Sequence, residues 1–330
     1  MEFFGFESLF PKSKKPFEEK AALFGSIVSR VRDNSDVDDA IQDEAVALLD
    51  DLKPYPFDSA AADRIVTELV PSTDGTLSGF VDSACILVSS PHSKIVNAAL
   101  SFLERSFWTS SPHNRVRLIQ KDFFSRILAI IQPQHLPLSE NEDVFHSLNR
   151  ILSSSIDLAR PSTLKALKLD DPSARQNHLE FVFQQVIQQH SSYISFLCQN
   201  RHLVSTNLYP SWMDGVVVSL FQISPYHLPT LEWILTSPVV LTINVVLSSL
   251  TPKHDLDRVL LGFTESLREW KREGPEVIGS GKRMINALVS DGLEDTLEQL
   301  VRIDRLHDGV KINLGSVSIL NGLGFNVRPF

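Results

Sequence analysis

Six times the chain sets a proline directly after a small polar residue: Ser90-Pro91, Ser111-Pro112, Asp171-Pro172, Ser224-Pro225, Ser237-Pro238 and Thr251-Pro252. A Ser, Thr or Asp side chain accepts hydrogen bonds from the open amides of a helix start. Proline fits the first turn, where its missing N–H costs nothing. Each pair therefore predicts the beginning of a helix. Further starts are predicted at Asp58, before "SAAADRIVTELV", and at "SENE" (139–142), where Ser139 and Glu142 match a capping box.

Between these breaks the apolar spacing is helical. Leu23/Phe24, Ile27/Val28 and Val31 recur every three to four residues, and so do Val37, Ile41, Ala45, Leu48/Leu49 and Leu52. Each such segment has one face to bury. Asp74-Gly75, Asp214-Gly215 and Asp291-Gly292 lack the alternating flanks of a hairpin. With only 14 glycines in 330 residues, the expectation is an all-α fold.

The order of helix lengths adds architecture. From 112 the chain gives a short helix "PHNRVRLIQ", a corner at Lys121-Asp122, a medium helix "FFSRILAIIQ", a loop "PQHLPLS" and a long helix "ENEDVFHSLNRILSSS". Val116, Ile119, Phe123, Ile127 and Ile130 supply facing apolar stripes across that corner. Short, medium and long recur over 226–272. One such unit cannot cover its apolar face alone, whereas stacked neighbours can. "NRVRLIQKDFFSRILAIIQ" and "MINALVSDGLEDTLEQLVRI" resemble the first two helices of an armadillo repeat, with Asp122 and Gly292 near the corner position. The resemblance to armadillo and HEAT-type proteins implies a right-handed α-solenoid over 18–305 whose long third helices line a concave surface. Residues 1–17 and 306–330 are expected to be irregular tails. The family's asparagine ladder is not expected here. Asn97 and Asn149 fall on third helices, Asn244 on a second and Asn286 on a first, so they cannot form one row.

Charge and motifs narrow the chemistry. A net charge of -9 disfavours a polyanion binder, so no nucleic-acid partner is expected. Cys85 and Cys198 lie in apolar helical contexts and cannot staple a small secreted fold. The N-terminus lacks a continuous signal core, and the longest uncharged stretch, "ILTSPVVLTINVVLSSLTP", is broken by Pro238, so a cytoplasmic protein without a membrane span is expected. The ten histidines show no pair at i+3 or i+4, and neither cysteine has a Cys-x-x-Cys or Cys-x-x-His neighbour. No metal and no cofactor are expected, and surface roles are expected for the histidines. "GPEVIGSGKRM" (274–284) falls short of a P-loop, because Glu276 holds the glycine position and Arg283 the Ser/Thr position; a connecting loop is expected. No hydrolase, zincin or kinase signature occurs.

Two Trp-Arg pairs remain as candidate partner-binding residues. Trp108 and Trp270 lie near the ends of two long third helices, beside Arg105 and Arg268. Tryptophan and arginine are over-represented at binding hot spots. Residues 33–51 are strongly acidic while 115–126 are basic, which offers a second, electrostatic mode of docking. The expected function is a non-enzymatic scaffold or adaptor for a protein partner. The alternative is a regulatory subunit of an enzyme complex, or an enzyme with a dispersed site.

Overall fold

The computed structural model describes residues 16–33, 37–70, 77–137, 140–200, 209–242, 266 and 275–290. Among these the fold is all-α and no strand occurs. The packed helices are compatible with a helical repeat protein. The chain divides into two compact units, one ending at Gln132 and one beginning at Pro133.

The first unit contains α1 (Phe17–Arg32), α2 (Asp39–Leu52), α3 (Ser59–Glu68), α4 (Ser78–Val88), α5 (Ser93–Thr109), α6 (Pro112–Ile119) and α7 (Phe123–Ile131). Helix α5 is its axis, with α2, α3 and α4 packed against it. Five buried rings run through the core. Phe24 meets Phe102 at 6.1 Å, Phe102 meets Phe80 at 6.3 Å, Phe80 meets Phe123 at 6.2 Å, and Phe123 stacks on Phe107 at 5.7 Å. The caps sit where local chemistry puts them. Asp58 accepts from Ala61 N at 3.0 Å and Ser111 from Asn114 N at 3.5 Å. At the Lys121-Asp122 corner, Asp122 takes a left-handed φ of 54°, a conformation that aspartate tolerates better than most residues.

The second unit contains α8 (Glu142–Ile156), α9 (Pro161–Ala166), α10 (Pro172–Val182), α11 (Ser191–Asn200), α12 (Tyr209–Ile223), α13 (Leu228–Thr236) and α14 (Pro275–Ser290). A π-helical segment, Phe183–Gln188, follows α10. Asp171 caps α10 by accepting from Ala174 N at 2.7 Å.

Four expectations change. Helix α8 does not line an open surface: Val144, Phe145, Leu148, Asn149, Ile151 and Leu152 are buried, and so are Ser153, Ser154 and Ser155 against α12. Its first residue is Glu142, following Asn141 as cap, so Glu142 cannot be the third residue of a capping box; Ser139 lies outside the described residues. The stretch 275–284 belongs to helix α14 and not to a loop, because Pro275 can open a helix and the buried Met284 and Leu288 stand four residues apart on one face. Ile130 is exposed, and the core face of α7 is made by Phe123, Phe124 and Ile127, in the first half of this short helix. The tails expected at 1–17 and 306–330 lie outside the described residues except for Pro16 and Phe17, the latter opening α1.

Candidate functional site

Helix α5 presents one open strip. Lys94, Asn97, Ser101, Arg105 and Trp108 recur at helical spacing and none of them is buried, while Ile95, Phe102 and Phe107 face the core. Asn97 is exposed on this strip, whereas Asn149 is buried in the second unit and accepts a hydrogen bond from Tyr193 Oη at 3.1 Å; the two form no row. Arg105 and Trp108 do come together. The Arg105 guanidinium lies 5.4 Å from the Trp108 ring centroid, a cation–π contact of about 0.5–1 kcal/mol at such an open position. Arg268 and Trp270 lie outside the described residues.

A third residue completes the group and was not anticipated from the sequence. Phe57, in the turn between α2 and α3, meets Trp108 edge to face, with ring centroids 5.9 Å apart and planes at 63°. Its side chain is nevertheless open to solvent, 89% exposed. The turn explains its position. Asp58 N donates to Tyr55 O at 3.1 Å, Pro56 occupies the second place, and Phe57 stands third with φ of 71°. A positive φ at the third place of such a turn ordinarily calls for glycine or asparagine. A bulky side chain there costs of order 1–3 kcal/mol. The aromatic contact returns only about 0.5–1.5 kcal/mol. Phe57 therefore stabilises the fold little or not at all.

On the other flank of the same turn is a cleft of about 400 Å³ lined by Phe17, Lys20, Asp51, Leu52, Pro54 and Arg64, among others. Three of its charged residues, Lys20, Asp51 and Arg64, are already paired. Lys20 meets Asp51 at 2.8 Å, and Arg64, stacked on Phe17, is held by both Glu18 and Glu68 at 2.9 Å. The paired carboxylates push the Arg64 guanidinium above its ordinary range, Glu68 first and then Glu18. Asp58, also on the lining, accepts from Ala61 N as the cap of α3.

The second unit holds a carboxylate–imidazole–hydroxyl arrangement. His227 Nε2 lies 3.1 Å from Glu180 Oε2, and His227 Nδ1 lies 2.9 Å from Thr230 Oγ1. Neutral imidazole satisfies both contacts by donating to Glu180 and accepting from Thr230. The geometry is that of an activated nucleophile, but His227 and Thr230 are each 1% exposed. A substrate has no route to the hydroxyl. The group instead ties α13 to α10, and Gln184 secures the far oxygen of Glu180 at 2.6 Å. Burial pushes His227 below the usual histidine range against the opposing pull of Glu180, and burial does the same to His178, whose Nε2 lies 3.1 Å from Leu158 O. His190 is also buried, with Nδ1 2.7 Å from Val186 O. The expectation of surface histidines thus fails for His190 and His227, because each finds a local or distant partner that the spacing of histidines alone does not show; His178 is half-buried.

Cys85 and Cys198 are buried and form no disulfide, and burial raises the Cys85 thiol above its ordinary range. Among the described residues no three His, Cys, Asp or Glu side chains converge on one point, and no helix is long and apolar enough to cross a membrane. No protein-family model matches the chain, and no curated protein matches it in sequence.

Proposed function

We propose that the chain is a protein-interaction scaffold without catalytic activity, working in the cytoplasm as a right-handed, armadillo- or HEAT-like α-solenoid. In this reading it docks a protein partner on the surface made by the end of α5 and the α2–α3 turn. One observation carries it: Phe57 stands in a costly left-handed backbone conformation, fully in water, leaning on Trp108 beside Arg105. Strain that returns little stability is characteristic of positions kept for contact with something else. Aromatic and arginine side chains grouped at one spot are the composition of binding hot spots. The helical corner at Asp122 and the short-medium-long order of α6, α7 and α8 support the repeat assignment.

The test is purification of native partners with the wild-type chain and with Phe57→Gly and Trp108→Ala. Glycine suits the turn, so Phe57→Gly should melt at the same temperature or higher while losing the stoichiometric partner. Retention of that partner by both variants removes the surface from the proposal. Turnover of any substrate by the isolated chain removes the scaffold assignment itself.

A further inference from the structure

The surface around Phe57 also carries information about what it takes, and the argument rests on the docking surface just proposed. In the first unit, Arg64 and Arg126 are engaged by carboxylates, Arg64 by Glu18 and Glu68 and Arg126 by Asp82 at 2.8 Å. Arg105 differs. Among the described residues it meets no carboxylate, and its guanidinium is held by the Trp108 ring alone. A guanidinium resting on an aromatic face keeps its edge N–H groups free, and those groups match a carboxylate in a two-pronged geometry.

The remaining features set the rest of the ligand. Arg105 already occupies the vicinity of the Trp108 ring, so a cationic ligand seeking that aromatic face meets a like charge. Phe57 offers a bare apolar ring beside it. Toward the start of α5 the strip changes sign: Lys94 is paired with Asp43 at 3.3 Å, and α2 carries Asp39, Asp43 and Glu44 in the open. At the Trp108 end the strip offers the Arg105 guanidinium, while the nearby acids Asp58 and Asp63 are engaged by the backbone amides of Ala61 and Ser111. We infer that this surface recognises a short linear segment of a protein partner carrying an acidic residue, for the Arg105 guanidinium, next to an apolar side chain that packs on Phe57 and Trp108.

The experiment uses the full chain and two fluorescein-labelled eight-residue peptides, one alternating glutamate with leucine and its twin with glutamine in place of glutamate. Binding is read by fluorescence anisotropy, with a single-stranded oligothymidine as a third probe. Wild type should bind the acidic peptide about tenfold or more tightly than its twin, a ratio that a charge-assisted hydrogen bond supports and that shrinks as salt is raised. Arg105→Gln should bring the two peptides to the same affinity, and Phe57→Gly should weaken both. Equal binding of the two peptides by wild type, an unchanged ratio in Arg105→Gln, or no binding of either peptide overturns the inference. So does binding of the oligothymidine that is tighter than the peptide and lost in Arg105→Gln, which assigns the surface to nucleic acid. The docking surface fails separately, if native partners are retained by Phe57→Gly and Trp108→Ala. It survives the failure of the acidic-segment inference if those variants lose the partner while Arg105→Gln keeps it. Far-UV circular dichroism of each variant confirms that the helices are intact.

Discussion

The two units solve the same packing problem with different materials. In the first, phenylalanines form a continuous line of ring contacts from Phe24 to Phe107. In the second, α8 carries Asn149, Ser153, Ser154 and Ser155 into the interior. It packs on α12 where Gly215 and Ser219 leave room; a Cβ on Gly215 would come within 3.2 Å of Ser153 Oγ. Ser219 in turn donates to Asp157 at 2.6 Å, and Asp157 pairs with Arg160 at 2.8 Å. The contrast teaches how a core selects one arrangement. Rings select by volume, which tolerates rotation of a neighbour but not its removal. Buried polar groups select by partner, because a donor or acceptor shifted out of reach loses its bond and has no water to replace it.

If that contrast holds, truncating a ring in the first unit should have the largest effect. Phe123→Ala, which removes a ring in contact with both Phe80 and Phe107, should cost about 3–5 kcal/mol in a denaturant titration. In the second unit the corresponding weak point is a hydrogen bond. Tyr193→Phe keeps the ring but strips Asn149 Oδ1 of its donor, in a place where Asn149 Nδ2 is already buried without a hydrogen-bond partner. The expected loss is about 1–3 kcal/mol. Adding Asn149→Leu should recover most of it, since replacing both partners by apolar groups leaves nothing unsatisfied. A double variant as unstable as Tyr193→Phe alone would mean that volume governs this core too.

Helix caps are a control for the comparison. Asp58 and Asp171 perform the same task at exposed helix starts in the two units, so alanine at either should cost the same, about 1 kcal/mol. Unequal costs would show that the surrounding packing reaches the surface. The mildest test is acidity. His178 and His227 titrate below the unfolded-chain value of about 6.5. The native protein then binds fewer protons than the unfolded chain in that window. Stability is full above about pH 6.5 and declines as the pH falls through the lower native values. Melting temperatures measured between pH 7.5 and 5 should drop, and His227→Gln should flatten the drop; a melting temperature that rises on acidification would contradict the assignment.

What was legible in the sequence follows from distance along the chain. Asp58, Ser111 and Asp171 act on amides three residues away, so their roles as caps were readable locally. The all-helical class was readable because every amphipathic face repeats within a turn or two. The buried histidine was not, since Glu180 and His227 are 47 residues apart and only packing brings them together. Arg105 and Trp108 were visible as neighbours on one helix, but Phe57 was missed. The signal was present in "KPYPFDS": a proline one residue before a large aromatic, followed by a capping aspartate, leaves the aromatic in the turn position that glycine usually fills. Exposure of that ring depends on a backbone angle, and no apolar pattern records it.

The π-helical segment at Phe183–Gln188 has a consequence for how this chain tolerates insertion and deletion. A π turn holds one residue more than the α turn it replaces, and each residue turns a helix by about 100°. Deleting Gln185 would let the segment close as an ordinary α turn, which completes the same single turn with one residue fewer, so the helix before it would keep its phase relative to the part after. Glu180 lies before the segment and His190 after it. The carboxylate would then keep its place against His227, whereas loss of Phe181 or Val182 from the α-helical part would turn it away by about 100°. Loss of a single codon is thus better absorbed at this place than in the α-helical turns before it, because the wider turn already holds the surplus residue.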